Sequence, residues 1–196
     1  MLIWINGPNG IGKTQVAFEL RHRVSGSLVV DPEHLGFGIR RTLPEPLRTD
    51  FRELPLWREG TRTLLREVLE HTEAPVIVPM TVLEASMLEE ILDPLRADGH
   101  RVVHVTLLAS EQVLRRRIRG RGESARGFAA QQARTSLAAL RSSRFEHHLD
   151  TGDLAIGAVA ERVAERAGVP TVPDPAGPLR RRMRRLRVHL RHIRFD

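Results

Sequence analysis

Cysteine is absent from the 196-residue chain, which excludes disulfide staples and thiolate metal sites and fits a reducing cytoplasm. No apolar run approaches the roughly 20 residues that a membrane-spanning helix requires. The opening Met1-Leu2-Ile3-Trp4 also lacks the basic flank of a secretory signal. These absences lead us to expect a cytoplasmic protein. Lysine is almost missing as well: of 31 basic side chains, Lys13 is the single lysine and the other 30 are arginine. A chain that uses arginine everywhere else and keeps one ammonium marks a position that needs a compact, flexible point charge in place of a planar fork.

That lysine lies in Gly7-Pro8-Asn9-Gly10-Ile11-Gly12-Lys13-Thr14, a full match to the phosphate-binding pattern G-x-x-x-x-G-K-[ST], directly after the apolar run Leu2-Ile3-Trp4-Ile5. Glycines let backbone N–H groups turn inward around a phosphate, and the helix that follows adds the positive end of its dipole. Lys13 is then expected to reach the β- and γ-phosphates of ATP, and Thr14 to offer its hydroxyl to Mg²⁺. The nucleotide-binding set comprises Gly7, Asn9, Gly10, Ile11, Gly12, Lys13, Thr14 and Gln15. A chance glycine-rich turn is the bland alternative, and the strand before and helix after argue against it.

The formal net charge is +7, and residues 179–196 alone carry eight arginines against one aspartate. Residues 1–178 therefore sum to zero, so long-range attraction belongs to one short segment. Length permits one well-filled core without demanding a second. Apolar β-rich runs at 2–6, 27–30, 75–80, 102–108 and 147–150 alternate with helical patterns at 13–24, 57–71, 84–97, 110–120, 126–142 and 153–167. This alternation predicts a parallel sheet covered by helices on both faces, an α/β fold. Ser110 is a candidate helix cap.

Four prolines in residues 169–178 read as a linker. Beyond it, Leu179, Met183, Leu186, Leu190 and Ile193 form a stripe at helical spacing, with arginines on most of the remaining surface. The expected organisation is a body at 1–168, a linker at 169–178 and a basic amphipathic tail at 179–196. An anionic membrane surface suits such a tail. Docking on the body, dimerisation and nonspecific nucleic-acid contact are alternatives, nucleic acid ranking last.

The loop at the chain start, the five-strand plan and the arginine-rich segment after the fourth strand resemble the small P-loop kinases. Trp4-Ile5-Asn6-Gly7, Gly12-Lys13-Thr14-Gln15, Asp31-Pro32-Glu33 with Gly36-Phe37, Trp57-Arg58-Glu59, Val76-Ile77-Val78-Pro79-Met80-Thr81 and Phe145-Glu146-His147-His148 are similar, in order, to segments of the bacterial ATP-binding tunicamycin-resistance proteins. The resemblance spans about residues 1 to 167. It implies a sheet of order 2-3-1-4-5 and a hydroxyl-bearing substrate, tunicamycin first, either phosphorylated or merely sequestered; a kinase acting on another metabolite is a broader option.

It also implies site residues. Asp31, at the carboxyl edge of the second strand, is the candidate base or metal-water ligand, with Glu33 a weaker choice. Arg58 and Trp57 are expected at the acceptor pocket, and Arg40 more weakly; a surface arginine beside a core tryptophan is the plain alternative. Arg117 and Arg121 lie where these kinases carry a lid and are the candidate arginines for the transferred phosphoryl group, against the alternative of a solvated basic face. The turn at Asp150-Thr151-Gly152 is expected near the adenine. One element departs from the pattern: the strand ending Pro79-Met80-Thr81 carries no acid for Mg²⁺. Thr81 is expected to touch the acceptor instead.

Overall fold

The computed structural model describes residues 1–120, 128–173, 176, 177 and 183. Five strands, β1 (Leu2–Asn6), β2 (Leu28–Val29), β3 (Val76–Pro79), β4 (Val102–Leu108) and β5 (His148–Asp150), form one sheet in the order β2-β3-β1-β4-β5. Every pairing is parallel, with Ile3 of β1 opposite Ile77 on one side and Val103 on the other. Central strands of a covered parallel sheet are buried on both faces, which is why β1 reads as an unbroken apolar run.

Alternation along β1 sorts its side chains into two cores. Ile3 and Ile5 join Val105 and Leu107 of β4 beneath α1 (Lys13–Arg23), α5 (Glu111–Arg119), α6 (Phe128–Leu140) and α7 (Ile156–Ala167). Leu2 and Trp4 join Val76 and Val78 of β3 against α3 (Pro55–Glu70) and α4 (Ala85–Ala97). In α4 the buried Ala85, Leu88, Ile91, Leu92 and Leu95 repeat at three- and four-residue steps, the pattern that turns one helix face to the sheet. Ser110 caps α5 by accepting a hydrogen bond from Val113 N at 3.3 Å, as its position suggests.

One helix was not anticipated. Residues Glu33–Thr42 form α2, in a stretch where the sequence patterns place no helix, with glycines at 36 and 38 inside it. Each interior glycine costs a helix up to about 1 kcal/mol, and packing offsets that here: a Cβ on Gly36 would lie 2.3 Å from the Phe51 ring. Tertiary contact, not local propensity, makes this segment helical. Two short 3₁₀ turns, Glu45–Leu47 and Phe51–Glu53, then lead into α3, which begins at Pro55 instead of Trp57. The start of the proline-rich segment is also held to the body, since Val172 N donates to Arg23 O at 2.8 Å and Arg23 Nη1 donates to Gly157 O at 3.0 Å. Residues 179–196 other than Met183 lie outside the described residues, as does Arg121. Among the described residues no helix is long and apolar enough to cross a membrane.

Candidate active site

The loop between β1 and α1 stands at the carboxyl edge of the sheet, where a parallel α/β sheet leaves space for a ligand. Gly10 has φ +85° and Gly12 φ +112°, conformations that a side chain rarely adopts. Room is as tight as the backbone: a Cβ on Gly10 would come within 2.5 Å of Ile118 Cγ1 on α5. Gly12 caps α1 without any side-chain hydrogen bond, and the first turn of that helix holds no acid. No acid of that turn offsets the positive end of the helix dipole, which favours an anion at this end. Lys13 opens the helix, is only 8 % exposed, and donates from Nζ to Pro8 O at 3.2 Å. Thr14 and Gln15 follow, both half-buried.

Two asparagines, the chain's only ones, hold this loop. Asn6 is wholly buried: its Oδ1 accepts from Gly7 N at 2.9 Å and Val82 N at 3.0 Å, while Nδ2 donates to Val82 O at 2.9 Å. Thr81 Oγ1 donates to Gly7 O at 2.9 Å and lies 3.3 Å from Asn9 Oδ1. The stretch Met80-Thr81-Val82 directly after β3, which carries no acid, thus serves as a brace for the phosphate loop. Thr81 is 2 % exposed with its hydroxyl engaged inward, an arrangement different from the acceptor contact expected of it.

On the β2 side, Asp31 is half-buried and its Oδ1 accepts from Glu33 N at 3.0 Å, which starts α2. The adjoining Pro32 carbonyl accepts a 3.0 Å hydrogen bond from Trp57 Nε1. Trp57 has no exposed surface and its ring sits 5.4 Å from Phe51. It is a core residue that fixes the Asp31 turn, so a stacking contact with a sugar or base is not open to it in this structure. Arg58 also points elsewhere than expected: Nε donates to Glu90 on α4, and Nη1 donates to the carbonyls of Arg52 and Glu53 at 3.0 and 2.9 Å. A cleft of about 370 Å³ between α3 and α4 includes Arg58 in its lining, together with Glu59, Arg62 and Glu90, but none of the phosphate-loop residues.

On this side of the sheet the arginine turned toward the loop is Arg52, which sequence reasoning passed over. Its Nη1 lies 3.4 Å from Thr81 O, and its Nε donates to Asp50 at 2.8 and 3.0 Å. Burial raises the Asp50 pKa, but the hydrogen bonds and charge of Arg52, aided by the charge of Arg40, outweigh it and leave the carboxyl below its usual range. Arg40 therefore faces the same corner. An Asp-x-Arg pair ahead of a helix was the available signal.

On the opposite side, Arg117 Nη1 donates to Ile11 O at 3.3 Å and Thr151 Oγ1 at 2.9 Å, and its Nη2 donates to the carbonyls of Thr151 and Gly152. The guanidinium joins α5, the phosphate loop and the turn after β5. It braces the expected adenine side; a finger aimed at a phosphoryl group would need this set of bonds released.

A family model for the AAA domain matches residues 2–147. The tunicamycin resistance protein of Deinococcus radiodurans superposes with a TM-score of 0.75 at 30% identity, over 88% of this chain and 99% of that one. The chain belongs to this family of P-loop proteins. The fold extends to small-molecule kinases: a gluconokinase of Sinorhizobium meliloti 1021 matches with a TM-score of 0.60 at 19% identity, over 85% of this chain and 90% of that one. A shikimate kinase of Bacteroides thetaiotaomicron matches with a TM-score of 0.57 at 19% identity, over 86% and 98%. No curated protein matches the sequence significantly.

Proposed function

We propose that this P-loop protein binds MgATP at Gly7–Thr14 and transfers the γ-phosphoryl group to a hydroxyl of tunicamycin, thereby conferring resistance. The observation that carries the reading is the glycine-capped, acid-free start of α1, with Lys13 at its first position and glycines at Gly10 and Gly12 in left-handed conformations. The likeness to a tunicamycin resistance protein supports the substrate. In the reaction, the substrate oxygen forms the new bond to phosphorus as the bond to the β-phosphate oxygen breaks, and the hydroxyl proton passes to Asp31. Lys13 balances charge on the β- and γ-phosphates, and Arg121 is the proposed cation for the transferred phosphoryl group. Thr14 and Asp31 offer oxygen donors that fit Mg²⁺, an ion that takes one or two protein ligands beside phosphate and water. When bound, the metal spreads the charge of the transferring group.

Mass spectrometry of tunicamycin incubated with the full chain and MgATP tests the proposal: the product should gain one phosphoryl group, and Asp31→Asn should abolish the gain. Unmodified drug, with protection that follows only affinity and protein dose, would favour sequestration. That second reading draws on the missing acid at the end of β3, where Thr81 and Val82 are instead tied by hydrogen bonds to Gly7 and Asn6 of the loop and β1.

The division into a body at 1–168, a linker at 169–178 and a tail at 179–196 belongs to the same proposal. Each basic residue near an anionic bilayer contributes about 1 kcal/mol, so the eight arginines of the tail suffice to hold a neutral body there. Full-length protein should sediment with phosphatidylserine vesicles, and a chain ending at residue 178 should remain in solution. Equal sedimentation of the two would remove the membrane from this reading.

A further inference from the structure

The shelf made by α2, the Phe51–Glu53 turn and α3 is joined to the phosphate loop by a continuous set of polar contacts, and one side chain makes the junction. Asp50 caps the turn, accepting from Arg52 N at 3.0 Å, and its carboxylate also grips the Arg52 guanidinium along Nε and Nη2. With that edge occupied, Nη1 is directed across to Thr81 O at 3.4 Å. Thr81 in turn donates to Gly7 O and touches Asn9 Oδ1, two residues of the loop itself. Behind the turn, Arg58 holds the carbonyls of Arg52 and Glu53 and anchors them to Glu90 on α4. A planar fork can hold a carboxylate on one edge and a carbonyl on another at once; an ammonium has no such fixed geometry.

We propose that Arg52 is a positioning residue that couples the shelf to the phosphate loop through Thr81, so that nucleotide in the loop orders the Phe51–Glu53 turn. The inference rests on reading Gly7–Thr14 as a nucleotide site and deepens it. In the free protein the Arg52–Thr81 contact is the longest link of the chain, and the Thr81 hydroxyl is shared between a backbone carbonyl and a side chain. Filling the loop draws its N–H groups onto phosphate and reduces the freedom of Gly7 and Asn9. Their partner Thr81 is then steadied, and the carbonyl it presents to Arg52 with it. The same ordering reaches the Asp31 turn, because Phe51 packs against both Gly36 of α2 and Trp57, the residue bonded to Pro32 O. Nucleotide thereby prepares the surface on which an acceptor would be received before that acceptor arrives.

Hydrogen–deuterium exchange of the full chain, read by mass spectrometry with and without MgATP, tests this without any assay of transfer. Wild type should show slowed exchange in peptides covering 7–14 and, in addition, about fivefold slower exchange over 51–54, the scale of one hydrogen bond gained. Arg52→Gln should keep the first effect and lose the second. Thr81→Val, which removes the hydroxyl but not the carbonyl, should do the same and serves if the arginine variant fails to fold. Protection over 51–54 that persists in a folded variant overturns the coupling, as does a wild type protected at 7–14 with 51–54 unmoved. No protection anywhere in wild type overturns the nucleotide reading together with this inference.

Discussion

Gly10 carries two constraints at one atom position. Its φ of +85° strains any other residue, and the site of its missing Cβ is already filled by Ile118, which is fully buried. Gly10→Ala is expected to destabilise the protein by about 1–3 kcal/mol, the usual cost of a strained backbone position. Urea unfolding measures the first effect. Calorimetric titration with MgATP should show weaker binding as well, because the strain is relieved by moving the loop away from α5. Unchanged stability and affinity would mean that the loop has more room than its packing indicates. Trp57 and Thr81 teach a related lesson. Both bear groups able to touch a substrate, and both turn them inward to hold the backbone that presents other residues.

Helix α5 carries the clearest functional choice between elements. Arg117 projects from it into the gap between Ile11 O and the Thr151–Gly152 turn, so one side chain holds three separate elements in register. A bracing role and a role on the transferring phosphoryl group predict different kinetics. Arg117→Met should raise KM for ATP and lower the melting temperature if the residue braces the nucleotide site, with kcat changed less than KM. A finger would show the reverse, a loss of roughly 10³ or more in kcat at nearly constant KM. The bonds in this structure favour the first outcome. Helix α2 shows how an element can depend on its neighbours: with glycine at two interior positions it has weak propensity of its own, and Phe51 supplies the surface that holds it.

At the scale of the whole molecule, the sheet encloses a titratable group. His104 on β4 is 1 % exposed, and burial, followed by the charges of Arg96, His147 and His148, pulls its pKa down to about 3. Glu146 N donates to Nδ1 at 3.4 Å, so the proton of the neutral ring sits on Nε2, 3.1 Å from Thr106 Oγ1. Between the unfolded value of 6.5 and about 3 the unfolded chain binds the extra proton and the native protein does not. Stability is therefore complete above pH 6.5 and falls with acidification through that window, by up to about 1.4 kcal/mol per pH unit from this group. His104→Asn, whose Oδ1 can accept from Glu146 N, should flatten the dependence of urea unfolding on pH between 6.5 and 4.5. An unaltered slope in the variant would assign the acid sensitivity elsewhere. Much of the architecture was legible without coordinates. A glycine-rich loop between an apolar run and a helix has few uses, and buried parallel strands announce themselves as short apolar segments between helical periods. The places of the five strands, the Ser110 cap and the glycine-lysine motif of the loop are written in residues close together in the chain, and these the sequence by itself determined, although β2, β3 and β5 are shorter than their apolar runs. Only the tertiary structure decided that residues 33–42 are helical, that Arg58 faces Glu90, and that Arg52 and Thr81 meet beside the loop. The reason is physical: such choices depend on contacts between residues far apart in the chain, and a side chain's identity states what it can bind but not the direction in which packing will turn it.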